Sequence, residues 1–217
     1  MIIHPFEANL QVFGGCDLSS VTDLTAWAKV QRLENGWLCN WRFWLPDGRI
    51  EAAERRDGVP YARWEREGFL ETTPGKSINH DVIMDAIITD CLEFDIGHVG
   101  FDPWNTEWLA AQLEKQGINS YKVSQGYQRM SEPSKHLQAA VAEGTFRHGR
   151  NPIASWMAEN VEVKSDEAGN IRPVKPQDGS TKRIDGIVAA IIAIAVAITA
   201  PDQNLSTAYD EPGNLAL

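Results

Sequence analysis

The sequence predicts a mixed α/β fold, with an antiparallel three-strand meander followed by parallel strands and flanking helices. Three observations predict it. Residues 11–45 hold three strand-like stretches in succession, joined by short turns. From Asn79 onward, amphipathic helical stretches alternate with short apolar ones, the pattern of crossover connections. A nearly all-aliphatic stretch from Ile184 to Pro201 has the length of a core helix.

The first stretch is Gln11–Leu18, apolar into Phe13-Gly-Gly-Cys-Asp17. In the second, Leu24–Leu33, Leu24, Ala26, Ala28 and Val30 alternate with Thr25, Trp27, Lys29 and Gln31. Glu34-Asn-Gly36 supplies a hairpin turn, and Trp37–Leu45, rich in aromatics, is the third strand. Pro46-Asp-Gly48 breaks the sheet. Residues 49–68 are helix-prone and mixed in charge, the pattern of a solvated face, with a break at Gly58-Val-Pro60. Phe69–Thr72 fits a short strand.

Asn79 is suited to cap a helix running to Phe94, with Val82, Ile83, Ala86, Ile87 and Cys91 at helical spacing. Ile96–Phe101 is a strand ending at Asp102-Pro103. A helix over Thr106–Gln116, stopped by Gly117, leads to a strand over Ser120–Val123. Ser131 is the expected cap of the next helix, with Pro133 in its first turn, ending near Glu143-Gly144. A polar knot, Arg147-His-Gly-Arg-Asn-Pro152, precedes a short helix over Ile153–Glu159. Val161–Val163 and Ile171–Val174 flank a hairpin turn at Asp166–Asn170. The expected division is 1–9 as a linker or loose N-terminus, 10–200 as one domain, and 201–217 as a flexible polar tail.

The 217 residues, 43% hydrophobic and 23% charged, suffice for a substantial single core. A net charge of −10 argues against a general electrostatic grip on nucleic acid, so any such contact must be local or use cations. Cys16, Cys39 and Cys91 have neither zinc-site spacing nor an even count for disulfides, which points to a reducing setting. Residues 187–200 are too few for a relaxed membrane span, and no membrane association is expected.

Three acids stand out by position. Asp17 lies inside an apolar strand, where an unpaired charge is costly. Asp102 ends another, and Asp185 opens the aliphatic helix. Each has an ordinary structural alternative: turn chemistry for Asp102, helix-dipole complementarity for Asp185. Asp23 would equally cap the first turn. If the three converge, their repulsion calls for divalent cations, and hard cations take oxygen ligands. Two such cations suit phosphodiester hydrolysis.

Six segments together resemble the nuclease domain of the large terminase subunit of tailed double-stranded DNA bacteriophages, a member of the RNase H-like superfamily. They are Gly14-Gly-Cys-Asp-Leu-Ser-Ser-Val-Thr-Asp-Leu-Thr25, Gly100-Phe-Asp-Pro-Trp-Asn105 and Gln125-Gly-Tyr-Gln-Arg-Met-Ser-Glu-Pro-Ser-Lys135. The others are Phe146-Arg-His-Gly-Arg-Asn-Pro152, Trp156-Met-Ala-Glu-Asn160 and Lys182-Arg-Ile-Asp-Gly186. The resemblance implies an RNase H-like sheet and a metal-dependent endonuclease that cuts concatemeric viral double-stranded DNA during packaging, with Mg2+ or Mn2+, two ions in all. It implies Asp17, Asp102 and Asp185 as catalytic, metal-binding acids, with Asp23 auxiliary. It further implies the large terminase's ATPase domain, the small terminase subunit and the portal as partners, in the host cell cytoplasm. Lys182, Arg183, Arg147, His148 and Asn151 are candidates to touch DNA phosphates or orient the acids. A motor of that family needs a G-x-x-x-x-G-K-[ST] loop. Thr73-Pro-Gly-Lys-Ser77 lacks its first glycine, so no ATPase is expected in these residues. Another RNase H-like nuclease or resolvase, or a non-catalytic docking module of the packaging motor, remains as an alternative.

Overall fold

The computed structural model describes residues 5–18, 24–103, 107–176 and 181–200. Strands β1 (Val12–Asp17), β2 (Thr25–Leu33) and β3 (Gly36–Pro46) form the predicted antiparallel meander. Gly36 in the β2–β3 turn has φ 137°, a conformation glycine adopts without penalty. Parallel strands extend the sheet on both sides. β4 (Glu71–Thr73) joins the C-terminal end of β3, while β5 (His98–Phe101) joins β1 and carries β6 (Asn119–Lys122). The order is β4-β3-β2-β1-β5-β6.

A seventh strand, β7 (Phe146–His148), pairs in parallel with residues 37–39 of β3. It overlaps the start of the stretch read as a polar knot. Three residues flanked by polar ones carry too little periodicity to announce a strand.

Two helices cover one face: α3 (His80–Glu93) and α4 (Glu107–Lys115). Asn79 caps α3, its side-chain oxygen accepting from the N–H groups of Asp81 and Val82. Asp90 of α3 is buried and held from the sheet by Trp27 Nε1 at 2.9 Å, Lys29 Nζ at 2.7 Å and Arg42 Nη1 at 3.1 Å. A buried acid is tolerated there because cations and a ring N–H satisfy it.

The opposite face is covered by α7 (Asp185–Thr199), whose residues 186–196 are all buried. Around it lie α1 (Ile50–Asp57), α2 (Tyr61–Arg66), α5 (Tyr127–Ala142) and α6 (Pro152–Glu159). β1 and β5 approach α7 closely because Gly15 and Gly100 lack side chains. A Cβ at Gly15 would collide with Ala189 O and Ala193 N, and one at Gly100 with Ile192 and Val196.

α5 starts earlier than predicted. Gly126 precedes its first turn, Pro133 sits inside it, and Ser131 is not its cap. No polar side chain marks the true start. Ser131 Oγ instead accepts from Ile171 N–H at 3.1 Å. That bond pins the separate hairpin of β8 (Glu162–Ser165) and β9 (Ile171–Val174) to α5. Residues 49–68 are less solvated than their charges suggest, since the Asp57 side chain is fully buried. Near the N-terminus, Gln31 Nε2 donates to the carbonyls of Glu7 and Leu10. Among the described residues, no helix is long and apolar enough to cross a membrane.

Candidate metal centre

The site follows from strand alternation. Successive side chains of β1 point to opposite faces. Val12 and Cys16 pack with Trp27 in the α3 layer, whereas Phe13 packs in the α7 layer and Gly15 lies directly under α7. Asp17, two residues beyond Gly15, therefore faces α7. The last register pair between β1 and β5 is Cys16↔Phe101. Phe101 belongs to the α3 layer and Gly100 abuts α7, so the alternation places Asp102 beside Asp17, at the carboxyl ends of neighbouring parallel strands. Such strands run about 4.8 Å apart.

Asp185 arrives from above as the first residue of α7. Ala189, one helical turn on, covers Gly15. The glycine contact sets the helix low on the sheet and aims its first turn at the carboxyl ends of β1 and β5. Asp185 Oδ2 is shut off from solvent, and the positive end of the helix dipole lies at this position.

The electrostatics register the convergence. Burial drives the Asp17 carboxyl well above the usual carboxylate range, and the charges of Asp185 and then Asp102 push it further the same way. Lys175, just after β9, pulls in the opposite direction. The neighbouring Cys16 thiol is raised by burial first and by Asp17 second. It is a buried free cysteine, as are Cys39 and Cys91.

Among the described residues, no three His, Cys, Asp or Glu side chains stand in ready-made ligand geometry. Like charges repel at short range, so drawing these oxygens into a ligand set takes a cation. The donor chemistry fits one class of ion. All three candidates supply carboxylate oxygen, which suits Mg2+ or Mn2+ rather than thiolate- or imidazole-seeking metals. Asp23 lies outside the described residues.

The other candidates separate. Arg183 is buried, its Nε 3.6 Å from Asp57 Oδ2, rather than on the solvated surface that its sequence neighbourhood suggests. Asp57 also takes Arg56 Nε at 2.6 Å and the Tyr61 hydroxyl at 2.9 Å. Asn151 is buried and caps α6, accepting from the N–H groups of Ile153 and Ala154. Lys182 is exposed. Arg147 pairs opposite Leu38, whose row crosses β2 at Gln31 and β1 at Val12. That row is five residues from Asp17, about 16 Å along the strand. His148 stacks on Phe146 and meets Trp41 edge-on, and Trp41 Nε1 donates to Gly186 O beside Asp185. The structure thus brings together Asp17, Asp102 and Asp185, and ties Arg183 and Asn151 into other buried contacts. Lys175 carries no sequence signal, since it follows a hairpin ten residues before Asp185.

Residues 7–200 match the family model for the endonuclease domain of the terminase large subunit. The chain is 31% identical over 196 residues to the large terminase subunit of Enterobacteria phage HK97, covering 89% of this chain and 38% of the relative. It is 30% identical over 163 residues to protein YmfN of Escherichia coli K12, covering 72% of this chain and 35% of the relative. It therefore spans under two fifths of the length of these relatives. The crystal structure of the HK97 large terminase superposes with a TM-score of 0.80 at 29% identity, over 88% of this chain and 40% of that one. The large terminase nuclease of thermophilic phage G20c with bound magnesium superposes at 0.53 and 13% identity, over 89% and 85%, which supports the fold. The observed sheet is thus the RNase H-like architecture that the resemblance implies, and the chain belongs to the family of terminase large subunit endonuclease domains.

Proposed function

We propose that this chain is a divalent-metal-dependent endodeoxyribonuclease that cuts concatemeric viral double-stranded DNA during genome packaging. The observation that carries the reading is the junction of Asp17 and Asp102 at adjacent strand ends under the first residue of α7, with both other acids' charges felt at Asp17. The bound magnesium of the G20c nuclease agrees with it. Asp17, Asp102 and Asp185 would hold the cations. Two such ions, when bound, activate the attacking water and stabilise the leaving oxygen. The acids keep those charges fixed at one edge of the sheet, and the buried α7 keeps Asp185 in register with the strands.

The proposal gives these residues no part in ATP-driven translocation, since they hold no G-x-x-x-x-G-K-[ST] loop. The ATPase domain, small subunit and portal are proposed partners, and the host cytoplasm the proposed location.

The test is nicking of supercoiled plasmid in Mn2+. Asp17→Asn, Asp102→Asn and Asp185→Asn should each lower the rate by more than about 100-fold, beyond the cost of losing an outer-shell partner, with unchanged circular dichroism. Retained cleavage removes that acid from the mechanism. A non-catalytic docking module is the second reading. Wild-type chain that neither binds Mn2+ in calorimetry nor cuts at any metal concentration would establish it.

A further inference from the structure

The β8–β9 hairpin stands apart from the main sheet, yet it is firmly held. Besides the Ile171 to Ser131 bond, Lys135 Nζ donates to Gly169 O at 3.2 Å, and the Arg172 guanidinium lies 4.9 Å over the Tyr127 ring. Its last register pair is Val174↔Glu162. Glu162 starts two residues after Asn160, whose side-chain Nδ2 donates to Arg183 O at 3.1 Å. Arg183 is in turn two residues before Asp185, and its side chain is anchored on Asp57. The exit of the hairpin and the entry to α7 are thus fastened at one corner, and Lys175, half-buried, leaves the hairpin there.

Resting on the nuclease reading above, we propose that Lys175 is the phosphate-positioning residue of this site, presenting its ammonium to the DNA backbone beside the three carboxylates. A site built from acids repels a phosphodiester. Cations held by the acids offset that repulsion, and a lysine on a pinned hairpin adds a donor at low ordering cost. A surface that is net −10 offers little general attraction, so one well-placed lysine should weigh heavily.

The experiment compares wild type, Lys175→Gln and Lys175→Arg in the full chain. Plasmid nicking in Mn2+ gives kcat and KM at several salt concentrations, and calorimetry gives Mn2+ affinity without DNA. Lys175→Gln should raise KM about tenfold, in line with loss of one charge-assisted contact. It should also make log KM against log salt shallower by about one. Lys175→Arg should recover most of the loss. Mn2+ should bind Lys175→Gln at least as tightly as wild type, because a competing cation has gone. An active wild type with an unchanged KM and salt slope in Lys175→Gln overturns the role of Lys175 alone. A wild type that neither binds Mn2+ nor cuts overturns the nuclease reading and this role with it.

Discussion

Gly15 of β1 lies directly beneath Ala189 of α7, so close that any Cβ there would collide with the helix backbone. This contact links the sheet that carries Asp17 to the helix that carries Asp185. The two nearest atoms, Ala189 O and Ala193 N, belong to the backbone of the buried stretch 186–196 of the helix, so relief requires moving the helix. Gly15→Ala should therefore destabilise the chain by about 1–3 kcal/mol or more. Thermal unfolding would drop by roughly 2–4 °C per kcal/mol for a chain of this size. Gly126→Ala, with φ −78° and nothing within 4 Å of its Cβ, should stay close to wild type. Equal melting temperatures for wild type and Gly15→Ala would refute the close approach.

Asp17 should make the metal-free protein less stable as pH rises. Its folded carboxyl titrates above the unfolded value of about 3.9, through burial, Asp185 and Asp102 in that order. Below the unfolded value both states are protonated and the group contributes nothing. Above it the unfolded state ionises more readily, and stability falls until pH passes the folded value. Asp17→Asn removes that penalty. Urea melts with chelator present should show the variant gaining on wild type from about pH 4 upward. A pH-independent difference would mean that Asp17 is neither buried nor crowded by the other two acids.

Arg183 should matter to folding before it matters to DNA. Its side chain and that of Asp57 are almost wholly buried. Arg183→Ala should cost about 3 kcal/mol, at the low end for breaking a buried pair, because Arg56 and the Tyr61 hydroxyl still hold Asp57. The salt dependence of DNA binding should not change. A stable Arg183→Ala variant with a shallower salt slope would return Arg183 to the list of phosphate contacts.

Most of the fold was legible because its signals are local. The alternation of Leu24–Leu33, the Asn-Gly turn and the Asn79 cap each announce an element without help from the rest of the chain. The start of α5 was not, since Gly126 offers no capping side chain and Ser131 imitates one while serving the hairpin. The acids were legible as oddities of position: Asp17 a charge inside an apolar strand, Asp102 at the end of another, Asp185 at the start of an aliphatic helix. Their convergence depends on β1 pairing with β5 and on the glycine contacts under α7, which no local pattern encodes. Arg183 and Asn151 look like exposed polar residues in sequence, and only tertiary packing turns them inward. Lys175 is invisible for the same reason: its place depends on how the hairpin exit is tied to the α7 entry.

The central claim is that the carboxyl ends of β1 and β5 and the start of α7 form one divalent-cation site. A crystal soaked in Mn2+ tests it most directly, through anomalous density. Peaks are expected among the carboxylate oxygens of Asp17, Asp102 and Asp185, at roughly 2.0–2.2 Å from their ligands. Density absent from that corner, in crystals of a chain that still cuts DNA in Mn2+, would contradict it.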